Sequence, residues 1–172
     1  MKKAESYLRK ACGGQVWDKG FKFTLTYNVG GEVRETACQI FKKNIESLNP
    51  KFKVDLRGVE WPAYVDKAQR QLMPLFSRGW IADYPDAHNF IYAFYHSQGR
   101  YPSAQSYSNA NMDRLVEEAV REVSGAKRAE LYRKILRLGY EDVPSIVTVH
   151  PSGVYAMRDW VRGFIDNPVT MG

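Results

Sequence analysis

Long apolar runs are absent from this chain of 172 residues. Nothing approaches the roughly 20 apolar residues that a bilayer-spanning helix needs, so no membrane span is expected. The N-terminus, Met-Lys-Lys-Ala-Glu-Ser-Tyr, starts basic but has no apolar region behind it, and does not read as a signal peptide. Cysteine is scarce. Cys12 and Cys38 are the only two, too few for a disulfide framework or a thiolate metal site. They would pair only in an oxidising compartment, and the plainer reading is two half-buried thiols. Long basic runs are missing too. The net charge is +6, but it comes in doublets such as Lys2-Lys3, Arg9-Lys10 and Lys42-Lys43, whereas nucleic-acid arms and polybasic anchors concentrate their charge. The charge therefore reads as a solvated surface, with no nucleic-acid partner. Phe90–Tyr95 holds no basic residue, which argues against base stacking on single strands. There is no Walker loop, no Gly-x-Gly-x-x-Gly fingerprint and no Gly-x-Ser-x-Gly elbow. Gly30-Gly31 reads as a tight turn.

What is present is an ordinary globular composition, 44% hydrophobic and 26% charged, long enough to bury a core without staples. Lys3–Cys12 can form a short helix stopped by Gly13-Gly14. Phe21, Phe23, Leu25 and Tyr27 alternate with polar residues, the period of a strand with one buried face. Val33, Ala37, Ile40, Phe41, Ile45 and Leu48 then form a helical stripe that Asn49-Pro50 ends. Phe52, Val54 and Leu56 alternate again, and Trp61–Arg70 reads as a helix with Pro62 in its first turn. Leu72–Phe76 suggests a third strand, with Pro74 placing it at an edge or in an irregular ladder. This alternation implies right-handed crossovers and a mainly parallel sheet covered on both faces. Trp80–Tyr107 should be loop with short helical turns. Met112, Leu115, Val116, Ala119, Val120 and Val123 mark an amphipathic helix capped by Asn109 or Asn111. A second helix is expected from Ala126 to Asp142, closed by Pro144. Ile146–Val149, apolar on both faces, reads as a central strand, and Trp160–Ile165 as a last one.

Two clusters bear on chemistry. Asp83, Asp86 and His88 could together hold a cation, although a metallohydrolase would need further ligands and neither His96 nor His150 has a spacing that supplies one. Asp86, just after Pro85, equally reads as a turn former. Gly79–Tyr84 follows the third strand, where open α/β sheets place ligands. Gly79 permits close backbone approach and Trp80 offers a flat apolar wall. Asp83, if partly buried, would need a cation such as a ligand ammonium. Local chemistry leaves a second reading open, in which Trp80 is core and Asp83 caps the next turn.

The order and spacing of several motifs resemble the C-terminal lobe of the family 5 extracellular solute-binding proteins, the dipeptide- and oligopeptide-binding components of ABC importers. The resemblance runs through Leu25–Asn28 with Arg34-Glu35, Glu60-Trp61, Gly79–Asp86 with Asn89-Phe90, and Tyr107-Ser108-Asn109. Glu141-Asp142-Val143-Pro144 and Trp160-Val161-Arg162-Gly163 complete it. It implies a three-layer α/β/α lobe with a mixed sheet, of the type II periplasmic-binding-protein kind and its peptide-binding branch. Residues 1–172 would form a single C-terminal lobe, with an N-terminal lobe absent. It further implies a non-catalytic role, capture of a peptide-like solute for ABC-type import outside the cytoplasmic membrane, in which this chain supplies half the cleft and the intact protein meets an ABC permease. No cofactor is implied. Asp83 corresponds to an aspartate that pairs with a peptide's α-amino group, Trp80 and Trp61 to pocket-lining tryptophans, and Gly79 and Ile81 to positions whose backbone bonds an extended peptide. Sugar oligomers are an alternative solute for the same lobe, and a metal-dependent hydrolase using Asp83, Asp86 and His88 is the alternative from another class. Ala68 and Ser77 stand where some members carry basic residues for the ligand carboxylate, and Ala87 replaces a common proline.

Overall fold

A computed structural model describes residues 2–150 and 155–165. The chain divides into two compact units, Met1–Gly79 and Trp80–Gly172. In the first, helix α1 (Lys2–Lys10) gives way to a 3-10 turn at Ala11–Gly14, then a short helix α2 (Gln15–Lys19). The helix expected to reach Cys12 ends earlier, because Cys12 and Gly13 both take left-handed backbone, at φ 49° and 64°. Strand β1 (Phe21–Asn28), helix α3 (Glu32–Glu46), strand β2 (Phe52–Val59), helix α4 (Trp61–Gln69) and strand β3 (Leu75–Phe76) follow.

The sheet order is β2-β1-β3. Both ladders are parallel, with Leu25 opposite Leu56 on one side and Leu75 on the other. Crossing from β1 to β2 and then back past β1 to β3 reverses direction, and right-handed crossovers in opposite directions put their helices on opposite faces. The contacts agree. Phe23, Leu25, Val54, Leu56 and Leu75 share a core with Cys38, Phe41 and Ile45 of α3. On the opposite face Phe76 meets Tyr64 of α4 edge-on. The helical stripe of α3 centres on Cys38, which is buried, so Val33 and Ile40, expected on that stripe, lie on its flank and are exposed. Leu72 is exposed as well, and β3 is two residues long because Pro74 can donate no ladder bond.

The second unit is helical among the described residues: α5 (Ala87–Tyr95), α6 (Arg100–Gln105), α7 (Ala110–Arg121) and α8 (Gly125–Asp142). Its core joins Ile91 of α5, Met112, Leu115, Val116 and Ala119 of α7, and Leu131 and Ile135 of α8. Val120 and Val123, expected on the buried stripe, are exposed. Asn109 caps α7, its side chain accepting from the backbone N–H groups of Asn111 and Met112. Gly139 of α8 lies where any Cβ would run into the Tyr95 ring, so the glycine allows α5 and α8 to approach closely.

Two expectations fail here. Ile146–Val149 is not a strand, and neither is Trp160–Ile165. Ile146, Val147, Val149, Trp160 and Ile165 are all exposed. A run of apolar residues states a preference for burial but does not provide a neighbouring strand to hydrogen-bond with. The sheet among the described residues is accordingly wholly parallel rather than mixed. No helix among the described residues is long and apolar enough to cross a membrane. Both cysteines are free thiols, Cys12 exposed and Cys38 buried, so the half-buried expectation is replaced by one of each kind.

Candidate functional site

In the first unit the carboxyl ends of the parallel strands gather Asn28 from β1, Arg34 from the first turn of α3, Trp61 at the start of α4, and Arg78 and Gly79 just beyond β3. A sheet that reverses its strand order leaves a crevice at this end, the usual ligand position in open α/β folds. Trp61 is exposed and stacks on the buried Tyr64 ring. The guanidinium carbons of Arg34 and Arg78 lie 5.9 and 5.5 Å from the Trp61 ring centroid, within cation–π range. Arg34 also donates to the Asn28 side-chain oxygen. A Cβ on Gly79 would sit 3.3 Å from Arg34 Nη2, so the missing side chain makes room for a guanidinium.

In the second unit residues 80–86 run without helix or strand into α5. The backbone N–H and C=O of Ile81 take no hydrogen bond among the described residues, and its side chain is exposed. Trp80 is half-buried, edge-on to Tyr101 at 6.0 Å between centroids. Its indole Nε1 donates to Asn89 Oδ1 at 2.5 Å. Asn89 Nδ2 in turn points at Asp83 Oδ2, 3.4 Å away. Asn89 is buried, whereas Asp83 is exposed and forms no ion pair among the described residues. The alternative role for Asp83, capping the next turn, belongs instead to Asp86, which is the N-cap of α5. Helix α5, nine residues long, lies where loop with short helical turns is expected from the sequence. Pro85 and the density of aromatics hid the cap that starts it.

Both carboxylate oxygens of Asp86 are engaged. Its Oδ1 accepts from the His88 backbone N–H at 2.7 Å and from Arg128 Nη2 at 2.7 Å, and its Oδ2 accepts from Arg128 Nη1 at 2.8 Å. Arg128 beside it, aided by the His88 amide, holds the carboxyl below the usual carboxylate range. Burial keeps the His88 imidazole below the usual histidine range. Cation coordination by Asp83, Asp86 and His88 would have to break this fork. No group of three or more His, Cys, Asp or Glu among the described residues is arranged to hold a metal ion. The metallohydrolase reading therefore loses its central ligand.

Neither Asn89 nor Arg128 takes a role from the sequence alone. An amide preceding the largely apolar run Phe90–Tyr95 was the available signal for Asn89. Arg128 offered none, since its partner is 42 residues away in the chain.

Residues 1–102 match the family model described as bacterial extracellular solute-binding proteins, family 5 Middle. The chain is 26% identical over 171 residues to the oligopeptide-binding protein OppA of Bacillus subtilis, covering 96% of this chain and 30% of that protein. Among solved structures, it is similar to the oligopeptide-binding protein AppA of Bacillus subtilis in complex with a nonapeptide, with TM-score 0.66 and 26% identity over 83% of this chain and 30% of that one. A periplasmic oligopeptide-binding protein of Borrelia burgdorferi shares the fold at TM-score 0.73 and 23% identity, over 83% of this chain and 28% of that one. The chain thus spans 30% of the length of the first of these relatives.

Proposed function

Because the chain belongs to family 5 of the bacterial extracellular solute-binding proteins, a family of binding proteins rather than enzymes, we propose that it captures a peptide-like solute for ABC-type import outside the cytoplasmic membrane. In this reading the chain supplies one wall of a cleft. A second lobe, for which the longer relatives have room, supplies the opposite wall, and an ABC permease receives the solute. Closure of two lobes around a ligand is a common hinge motion.

Asp83 carries the reading. It is an exposed carboxylate with no cation beside it among the described residues, held from behind by a buried amide. A peptide's α-ammonium group would complete it with a charge-assisted hydrogen bond. Ile81, whose backbone donor and acceptor take no hydrogen bond among the described residues, suits main-chain bonding to an extended peptide. Trp80 is the adjacent apolar surface. In the first unit, Trp61 and Gly79 are proposed as solute contacts in their own right, Trp61 through its exposed indole.

The test is native mass spectrometry of the chain with an equimolar mixture of tri- to pentapeptides and maltooligosaccharides. Retention of peptides is expected. Retention of the sugars alone would transfer the proposal to sugar oligomers, and retention of neither would overturn it.

A further inference from the structure

The most buried polar group among the residues of the second unit's candidate site is the Asn89 side chain. Asn89 is 5% exposed, in the first turn of α5, three residues after the Asp86 cap. Its two side-chain ends are engaged in opposite senses. The carbonyl oxygen accepts from Trp80 Nε1 at 2.5 Å, and the amide nitrogen lies 3.4 Å from Asp83 Oδ2. A buried amide is costly unless both ends find partners, and here both partners come from the segment that lacks regular structure. The backbone around Asn89 is itself fixed, because its N–H donates to the Asp86 carbonyl at 3.1 Å. Asp86 is anchored in turn by the Arg128 fork.

We propose that Asn89 is the positioning residue of this site, orienting the Trp80 ring and the Asp83 carboxylate as one unit so that Asp83 Oδ1 faces outward to receive a ligand ammonium. This rests on the solute-capture reading above. Asn89 has no direct contact with the solute in this arrangement. It acts by removing freedom that Asp83 would otherwise lose on binding, and by holding one carboxylate oxygen so that the other is presented. Aspartate or glutamine at position 89 would not substitute, since the first lacks the donor and the second is a methylene too long for the same two partners.

The experiment is a double-mutant cycle on the 172-residue chain, titrated with trialanine and with N-acetyl-trialanine. The wild type is expected to prefer the free amine by about tenfold or more, the usual worth of a hydrogen bond to a charged group. Asp83→Asn should abolish the preference. Asn89→Leu, close in volume, should reduce it to under about threefold, and should have no further effect in the Asp83→Asn background, since coupled residues are not additive. An effect of Asn89→Leu that is equal for both peptides, and equal in both backgrounds, would show a merely structural role and overturn the proposal. A wild type that binds both peptides alike would instead overturn the Asp83 assignment, and this inference with it. Should Asn89→Leu fail to fold, the wild-type Asn89 side-chain amide signals decide. They are expected to shift with trialanine and not with its acetylated form, and signals that move with neither would overturn the proposal.

Discussion

Arg128 grips Asp86 with both terminal nitrogens, at 2.7 and 2.8 Å, so that α8 holds the residue that caps α5. Both side chains are about two-thirds buried, which places the pair between a surface ion pair of small worth and a fully buried one. Asp86→Ala removes the cap and the fork together and is expected to cost about 2 kcal/mol, roughly half from each. Asp86→Asn retains a cap and should cost about half as much. Urea denaturation of the two variants checks this: an Asp86→Asn variant as stable as the wild type would show that the ion pair contributes nothing, and equal losses in the two variants would show that the cap contributes nothing.

Acid should weaken the second unit in two stages. Burial holds the His88 imidazole below its ordinary value of 6.5, so the unfolded chain takes up that proton at higher pH than the folded one. The stability contributed by neutral His88 is complete above 6.5 and declines as pH falls from there toward the folded value. Asp86 is held below its ordinary value of 3.8, chiefly by Arg128. Its contribution is complete above 3.8 and is lost as pH falls through the lower folded value. Thermal melts from pH 8 to pH 3 should show both declines. His88→Gln should remove the upper one, and its persistence in that variant would assign it elsewhere.

Two glycines should answer alanine differently. A Cβ at Gly99 would overlap the backbone carbonyl oxygen of Tyr92, which cannot move without unwinding the end of α5. Gly99→Ala is expected to cost about 3 kcal/mol, the upper range for overpacking. At Gly79 the nearest atom is Arg34 Nη2, 3.3 Å away at the tip of a flexible side chain. Gly79→Ala should cost less than about 1 kcal/mol. Circular-dichroism melts of the two variants separate these cases, and equal shifts would contradict the packing described.

The strands of the first unit were legible because one face of each is covered by α3. The alternation of Phe23, Leu25, Val54 and Leu56 therefore coincides with burial. Pro74 was legible for a similar local reason, since a missing N–H shortens a ladder wherever it falls. Helix α5 was not, because its start depends on a single capping carboxylate among aromatics and prolines. Val123 and Ile146–Val149 misled in the opposite direction: they are apolar and exposed. At the site, the sequence pointed to Trp80 and Asp83 as residue types suited to a ligand wall. It could not show that Asn89 links them, because that link depends on how the segment before α5 folds back over its first turn.

If Asp83 receives a ligand ammonium, calorimetric titration of the chain and of its Asp83→Ala variant with trialanine will separate the two proteins. Affinity for trialanine is expected to fall by about tenfold or more on this substitution, with the weak binding of N-acetyl-trialanine left unchanged. Equal affinity of the two proteins for trialanine would contradict it.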